Sequence, residues 1–284
     1  MKNLNTIIVD CNYLGHASRF AVDSKLKTST GIHTNVIYGF LETVLNLSVY
    51  YKTSDLVFVW DSMQSKRKEL FPDYKKSRHK DLTEQEKLEL KIAYKQFRIL
   101  RKNILPAMGF QNNFMEEGFE GDDLIASIIK NDSFGKNFLI YASDHDLYQL
   151  LSYNVSMIKK KGIYTARNFV DEFGINPKKW WRVKALAGCT SDEVPGLKGI
   201  GEKTACKYLK NELKEKSITY KKIIDGQEEI EKQNKPLVKL PFTGTPALTL
   251  QKNKFDLEKT KELFEYYEFQ SFLENFDEWE KALK

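Results

Sequence analysis

Three short apolar runs, each closed by an aspartate, restrict the possible folds of this chain more than any other feature. Residues 6–9 (TIIV) lead into Asp10, residues 56–60 (LVFVW) into Asp61, and residues 138–141 (FLIY) are followed three positions later by Asp144. Runs of four or five β-branched and aromatic residues without polar alternation predict strands buried on both faces. Residues 155–159 read as a further strand and residues 110–115 as a weaker one. Helical periodicity occupies 36–50, 83–105 and 122–130. Thr83 and Glu86 form a capping box, and Pro106 is placed to stop the second of these helices. Strands alternating with helices predict an α/β fold, a mostly parallel central sheet flanked by helices. Ligands of such sheets bind outside the carboxyl ends of the strands, where these aspartates fall.

From about Val170 the pattern changes to short helices, with glycines at Gly188, Gly196, Gly199 and Gly201. We set a boundary near Arg167, giving an α/β core over 1–167 and a helical region over 168–284. Residues 221–236 are polar and read as loop or frayed helix, and no internal repeat or low-complexity tract is present. The 284 residues suffice for one large domain or a domain with an annex. Net charge +6 and a pI near 8.9 lean toward an anionic partner. Cys11, Cys189 and Cys206 are sparse and far apart, which predicts a reducing compartment and no disulfides. No apolar run reaches the roughly 18 residues of a membrane span, and the first run is too short for a signal peptide. The expectation is a cytoplasmic monomer, in a bacterium or a phage-infected host, with no membrane partner. With no polymerase region before the end at Lys284, it is expected to stand alone.

The richest chemical signal is Glu120-Gly121-Asp122-Asp123. Taken alone it equally describes an ordinary acidic helix N-terminus, which the helix dipole favours. It is accompanied by Asp10, Asp61, Asp144, Asp146 and Asp192. Carboxylates gathered at strand ends repel one another unless a cation holds them. Oxygen ligands without histidine or cysteine suit Mg²⁺ or Mn²⁺, and two such ions can assist in-line displacement at a phosphodiester. His16, His33, His79 and His145 show no ligand spacing.

These residues carry a resemblance. Residues 58–78 (FVWDSMQSKRKELFPDYKKSR), 119–128 (FEGDDLIASI), 142–151 (ASDHDLYQLL), 188–205 (GCTSDEVPGLKGIGEKTA) and 267–273 (YEFQSFL) resemble, in order, motifs of the 5′-3′ exonuclease and flap endonuclease family. That family includes the 5′ nuclease domain of bacterial DNA polymerase I and stand-alone phage exonucleases. The resemblance implies a PIN-like nuclease core, a basic arch over about 63–105, and a helix-hairpin DNA-binding region after it. One metal site would use Asp10, Asp61, Glu120 and Asp122, the other Asp123, Asp144, Asp146 and Asp192. The implied activity is metal-dependent cleavage of DNA at a 5′ end, flap or nick, or at an RNA primer, in replication or repair. The chain departs from the family at Cys189, where aspartate is usual. Glu193, where asparagine is usual, offers a compensating charge. This departure leaves open a catalytically weak DNA-structure-binding relative; the acid cluster alone would also permit a metal phosphohydrolase acting on RNA or nucleotides, against which the helix-hairpin segment argues.

Lys66, Arg67, Lys68, Tyr74, Lys75, Lys76, Arg78, His79 and Lys80 closely follow Asp61. A solvated basic loop is the plain reading, but the position beside a proposed ligand lets Lys75 and Arg78 clamp a phosphate and Tyr74 stack on a frayed base. The helix over 83–102 is also basic. Lys198, Gly199, Gly201, Lys203 and Thr204 form a glycine turn before a helix N-terminus, suited to phosphate contact; the resemblance makes K⁺ plausible there. Tyr13 reads as either a stacking or a packing residue. Trp180 and Trp181 read as core and interface anchors, and Lys159, Lys160 and Lys161 as a solvated strand end.

Overall fold

The computed structural model describes residues 5–78, 80–132 and 135–284; His79 lies outside them. The chain opens with β1 (Asn5–Asp10), α1 (Cys11–Ala21), α2 (Asn35–Tyr51) and β2 (Leu56–Val59). A short α3 (Arg67–Leu70) precedes α4 (Glu84–Ile99), which starts at the expected Thr83–Glu86 capping box. Pro106 does not stop this helix. The helix widens to a π-helical turn over Leu100–Ile104, where the Leu105 N–H reaches back to the Leu100 carbonyl. It then continues through α5 (Leu105–Ala107) before Gly109, at φ +93°, turns the chain away. The wider turn absorbs the hydrogen bond that proline cannot make.

Next come β3 (Asn113–Phe114), α6 (Gly121–Asn131), β4 (Asn137–Tyr141), β5 (Val155–Lys159) and β6 (Gly162–Tyr164). The weak strand expected over 110–115 pairs at two residues only. The lysines at 159–161 lead through a hairpin into β6, a strand the sequence did not signal. The sheet order is β3-β2-β1-β4-β5-β6, parallel except for β6. Val9 lies level with Phe58 on one side and Tyr141 on the other. That register brings the carboxyl ends of β1, β2 and β4 to one edge, with β1 and β4 at the reversal of strand order.

The helical part comprises α7 (Ala166–Phe173), α8 (Trp180–Ala187), α9 (Glu202–Leu209), α10 (Ile218–Val238), α11 (Leu257–Tyr266), α12 (Gln270–Glu274) and α13 (Phe276–Leu283). The stretch 221–236, expected as loop or frayed helix, is part of α10, a continuous helix of 21 residues with Pro236 in its last turn. Ile223, Ile230 and Leu237 recur at seven-residue steps and are buried on one face, which outweighs the polar composition.

Alternation along β1 divides the core. Ile7 and Val9 face Phe40, Phe58, Trp60 and Phe97, together with Phe264, Phe272 and Trp279 from the C-terminal helices. Ile8 faces Val57, Ile125 and Ile140, backed by Phe169, Trp180, Val183 and Ile223. Among the described residues no helix is long and apolar enough to cross a membrane.

Candidate metal centre and nucleic-acid interface

Four carboxylates converge at the carboxyl edge of the sheet. Asp10 ends β1 and caps α1, accepting the Tyr13 N–H at 2.9 Å. Asp61, just beyond β2, accepts the Gly121 N–H at 2.7 Å, and its own N–H donates to Asn12 Oδ1 at 3.1 Å. Asp122 projects from the first turn of α6, and Asp144 follows β4 and caps the turn carrying Asp146. Burial, then the charges of Asp61 and Asp144, push the Asp10 carboxyl up to about 7. Asp122 is raised well above the usual range by burial and by Asp144, Asp10 and Asp61. Asp61 is raised chiefly by burial. This mutual repulsion is relieved by a hard divalent cation, and the oxygen-only donor set fits Mg²⁺ or Mn²⁺. Among the described residues, no three acidic, histidine or cysteine groups stand close enough together to hold an ion as they are. Like charges keep such side chains apart until an ion offsets them.

The other acids are engaged. Glu120 Oε2 accepts from Lys75 Nζ at 2.8 Å and from the Tyr74 hydroxyl at 3.1 Å. Burial works to raise its pKa, but Lys75 and Arg67 outweigh that and hold it below the usual value. Asp192 Oδ1 receives Arg78 at 3.1 Å, and the Lys75 N–H donates to the Asp192 carbonyl. Asp146 pairs with Lys184 at 3.1 Å; burial and then Asp144 raise it to about 6.

Asp123, expected as a ligand, is engaged by an arginine instead. It is fully buried and takes both arms of Arg67, at 2.6 and 2.8 Å, and the Phe242 N–H at 2.8 Å. Arg67, expected at DNA, is its partner. This buried guanidinium, whose Nε also donates to the Leu237 carbonyl, has no access to DNA. Tyr74 is likewise buried on Glu120, so it buttresses that acid and cannot stack on a base.

A sequence profile of the 5′-3′ exonuclease N-terminal, resolvase-like domain matches residues 5–174. A 5′-3′ exonuclease of Aquifex aeolicus is 35% identical over 215 residues, 74% of this chain and 70% of that protein. The chain belongs to the 5′-3′ exonuclease family. DNA polymerase I of Mycobacterium bovis is 30% identical over 212 residues, and the match takes in 72% of this chain but 22% of the polymerase. The fold matches that of a bacteriophage T5 flap endonuclease solved as a complex with DNA and metal ions. The TM-score is 0.70 at 21% identity, covering 99% of this chain and 100% of that one.

In this exonuclease-family site Lys184 is not singled out by the sequence, and Lys159 reads there only as part of a solvated strand end. Lys184 on α8 bridges Asp146 and Glu202, the first residue of α9, at 3.1 and 3.2 Å. Lys159 leans over the Tyr148 ring and donates to the Ser143 carbonyl, beside Asp144. Helical spacing and a strand-end lysine were the signals available, and neither specifies a partner. His145 stacks on Tyr148 with ring centroids 4.7 Å apart, and Tyr13 packs near Tyr141. Lys66 lies over the Phe119 ring, while Lys76 is exposed.

In the glycine turn Lys198, Gly199, Gly201 and Lys203 are exposed, Thr204 is half-buried, and the Lys222 ammonium donates to the Lys198 carbonyl. Cys189, half-buried, has its thiol 3.1 Å from the Ser191 hydroxyl, and its backbone pairs with Val194 to close the loop bearing Asp192. Glu193, at φ +56°, accepts the Ser77 N–H at 2.7 Å and so fastens the Lys75–Arg78 segment.

Proposed function

We propose that this chain is a divalent-metal-dependent, structure-specific 5′ nuclease that hydrolyses DNA phosphodiesters at 5′ ends, flaps or nicks. The observation that carries this is the group of Asp10, Asp61, Asp122 and Asp144, crowded at one sheet edge and raised in pKa by burial and by one another. Family membership and the metal- and DNA-bound T5 fold support it.

Asp10, Asp61 and Asp122 would hold one ion directly, with Asp144 and Asp146 toward a second and Glu120 and Asp192 adjoining. A bound ion supplies positive charge that lowers the pKa of water and neutralises the phosphate. The chain's own contribution is positioning. Lys75, its pKa raised because Glu120 and Asp192 outweigh burial, stays protonated at the rim. Lys75 and Arg78 can turn from Glu120 and Asp192 to the scissile phosphate and balance the charge that builds there. Hydrolysis by water leaves a 5′-phosphate and a 3′-hydroxyl.

In the same reading residues 168–284 supply the duplex-binding part. The exposed turn at Lys198–Gly201, with Lys203, meets a phosphate at the N-terminus of α9. The Lys222 ammonium at this turn is consistent with a cation-seeking carbonyl there, in keeping with K⁺. Three unpaired thiols fit a reducing, cytoplasmic setting.

The deciding experiment is cleavage of a 5′-labelled flap and a nicked duplex with Mg²⁺ or Mn²⁺. Product that disappears with EDTA is expected. Binding to the flap with no cleavage over a wide metal range would sink the enzyme reading and favour a structure-binding relative, as Cys189 in place of a carboxylate would suggest. Faster cleavage of RNA than of DNA would redirect the substrate.

A further inference from the structure

A second surface is built where the end of α10 passes α8. Lys130, Trp181, Lys232, Lys235, Lys239 and Phe242 line an open groove of about 960 Å³. All four lysines are exposed. Among the described residues none of them has an acidic partner, although many surface lysines elsewhere in the chain do. The groove's one acid, Glu231, is neutralised by Arg182 at 2.8 Å. The lining therefore presents uncompensated positive charge around a half-exposed indole.

The ammonium groups of Lys235 and Lys239 each lie 5.5 Å from the Trp181 ring centroid. A cation on an indole face satisfies the ring in the free protein. A strand of nucleic acid satisfies all the groups together: its phosphates take the two lysines and an unpaired base takes the ring. A base inside a duplex is stacked on both faces, so the combination of indole and lysines favours a single strand over a duplex. Phe242, the floor of the groove, has its N–H fixed by Asp123 and its ring under Arg67. The floor is thus held in place by the Arg67–Asp123 pair.

We propose that this groove binds a single-stranded DNA segment, with a base stacked on Trp181 and phosphates on Lys235 and Lys239. The proposal rests on the nucleic-acid reading of the metal centre, but its test does not depend on cleavage. Of the four tryptophans, Trp60, Trp180 and Trp279 are buried, so quenching by a stacked base reports on Trp181.

The probe is a short thymidine oligomer titrated in EDTA, read by tryptophan fluorescence and by anisotropy of a labelled copy. Saturating quenching is expected in the wild type and should be absent in Trp181→Phe. The Lys235→Ala/Lys239→Ala double variant should bind the oligomer roughly tenfold more weakly, with a salt slope lower by about 1.4 for two lost phosphate contacts. Its metal-dependent flap cleavage at saturating substrate should be unchanged. A blunt hairpin duplex should show no quenching and no loss in the double variant. An oligomer that binds without quenching would overturn the proposal. So would equal losses on the hairpin, which would assign the groove to duplex. Absent cleavage with intact quenching would instead count against the nuclease reading alone.

Discussion

The sharpest consequences lie in single carboxylates. Asp10 is raised to about 7 against an ordinary value near 3.8. Between those values the folded protein holds a proton that the unfolded chain has released, so metal-free stability falls as pH rises across that window. A melting series in EDTA should show a lower Tm at pH 8 than at pH 5 from this group, and added Mg²⁺ should recover more at pH 8. A pH-independent effect of Mg²⁺ would refute the convergence of these acids. Lys75 stands on Glu120, at the rim and outside the carboxylate group. Lys75→Ala should lower the single-turnover rate by roughly a hundredfold while changing flap affinity by only a few-fold. Equal losses in both would make it a steering charge only. The Arg67–Asp123 pair tests packing. Removing one partner strands a buried charge, at a cost of about 3–5 kcal/mol. Arg67→Met or Asp123→Asn should each show it in urea unfolding, and the double variant should be less than additive.

At the scale of elements, the turn before α9 depends on two backbones touching. A Cβ built on Gly196 would lie 2.2 Å from the carbonyl carbon of Ala187, and one on Gly188, at φ +76°, would lie 2.5 Å from the Gly196 nitrogen. Neither contact can relax by moving a side chain. Gly196→Ala should therefore loosen the link between α8 and α9 and weaken duplex binding severalfold, with Mg²⁺ binding at the sheet edge retained. Isothermal titration of the two ligands separates these effects; loss of both would mean that the sheet edge depends on the turn. The α4 region shows why element boundaries were only partly legible. Its start was readable because a capping box is local, Thr83 and Glu86 being three residues apart. Its end was not, because the π turn at Leu100–Ile104 and the buried fit of Leu100 and Ile104 let the helix pass Pro106. In α10 the stripe of Ile223, Ile230 and Leu237 was present in the sequence, but polar neighbours obscured it.

At the scale of the molecule, the last helices complete the core that the first strands begin. Phe264 and Trp279 are fully buried, and α13 packs on α2. Losses of roughly 3–5 kcal/mol for each large aromatic removed would exceed a stability of about 5–15 kcal/mol. A chain cut after Asp256 should show no cooperative melt; a sharp transition near that of the intact protein would show the C-terminal helices to be dispensable. The sequence by itself determined the four main parallel strands, their order along the chain, and the acids that follow three of them, because hydrophobic runs and the residues that close them are local properties; β6 carries no such run. Right-handed parallel connections then force such ends to one edge. Only the tertiary structure decided which acids stay open. Asp122 and Asp123 are adjacent in sequence, yet successive side chains on a helix diverge by about 100°. One therefore points to the sheet edge, and the other points inward to an arginine 56 residues away. Pairing over that distance depends on packing geometry that no local pattern encodes.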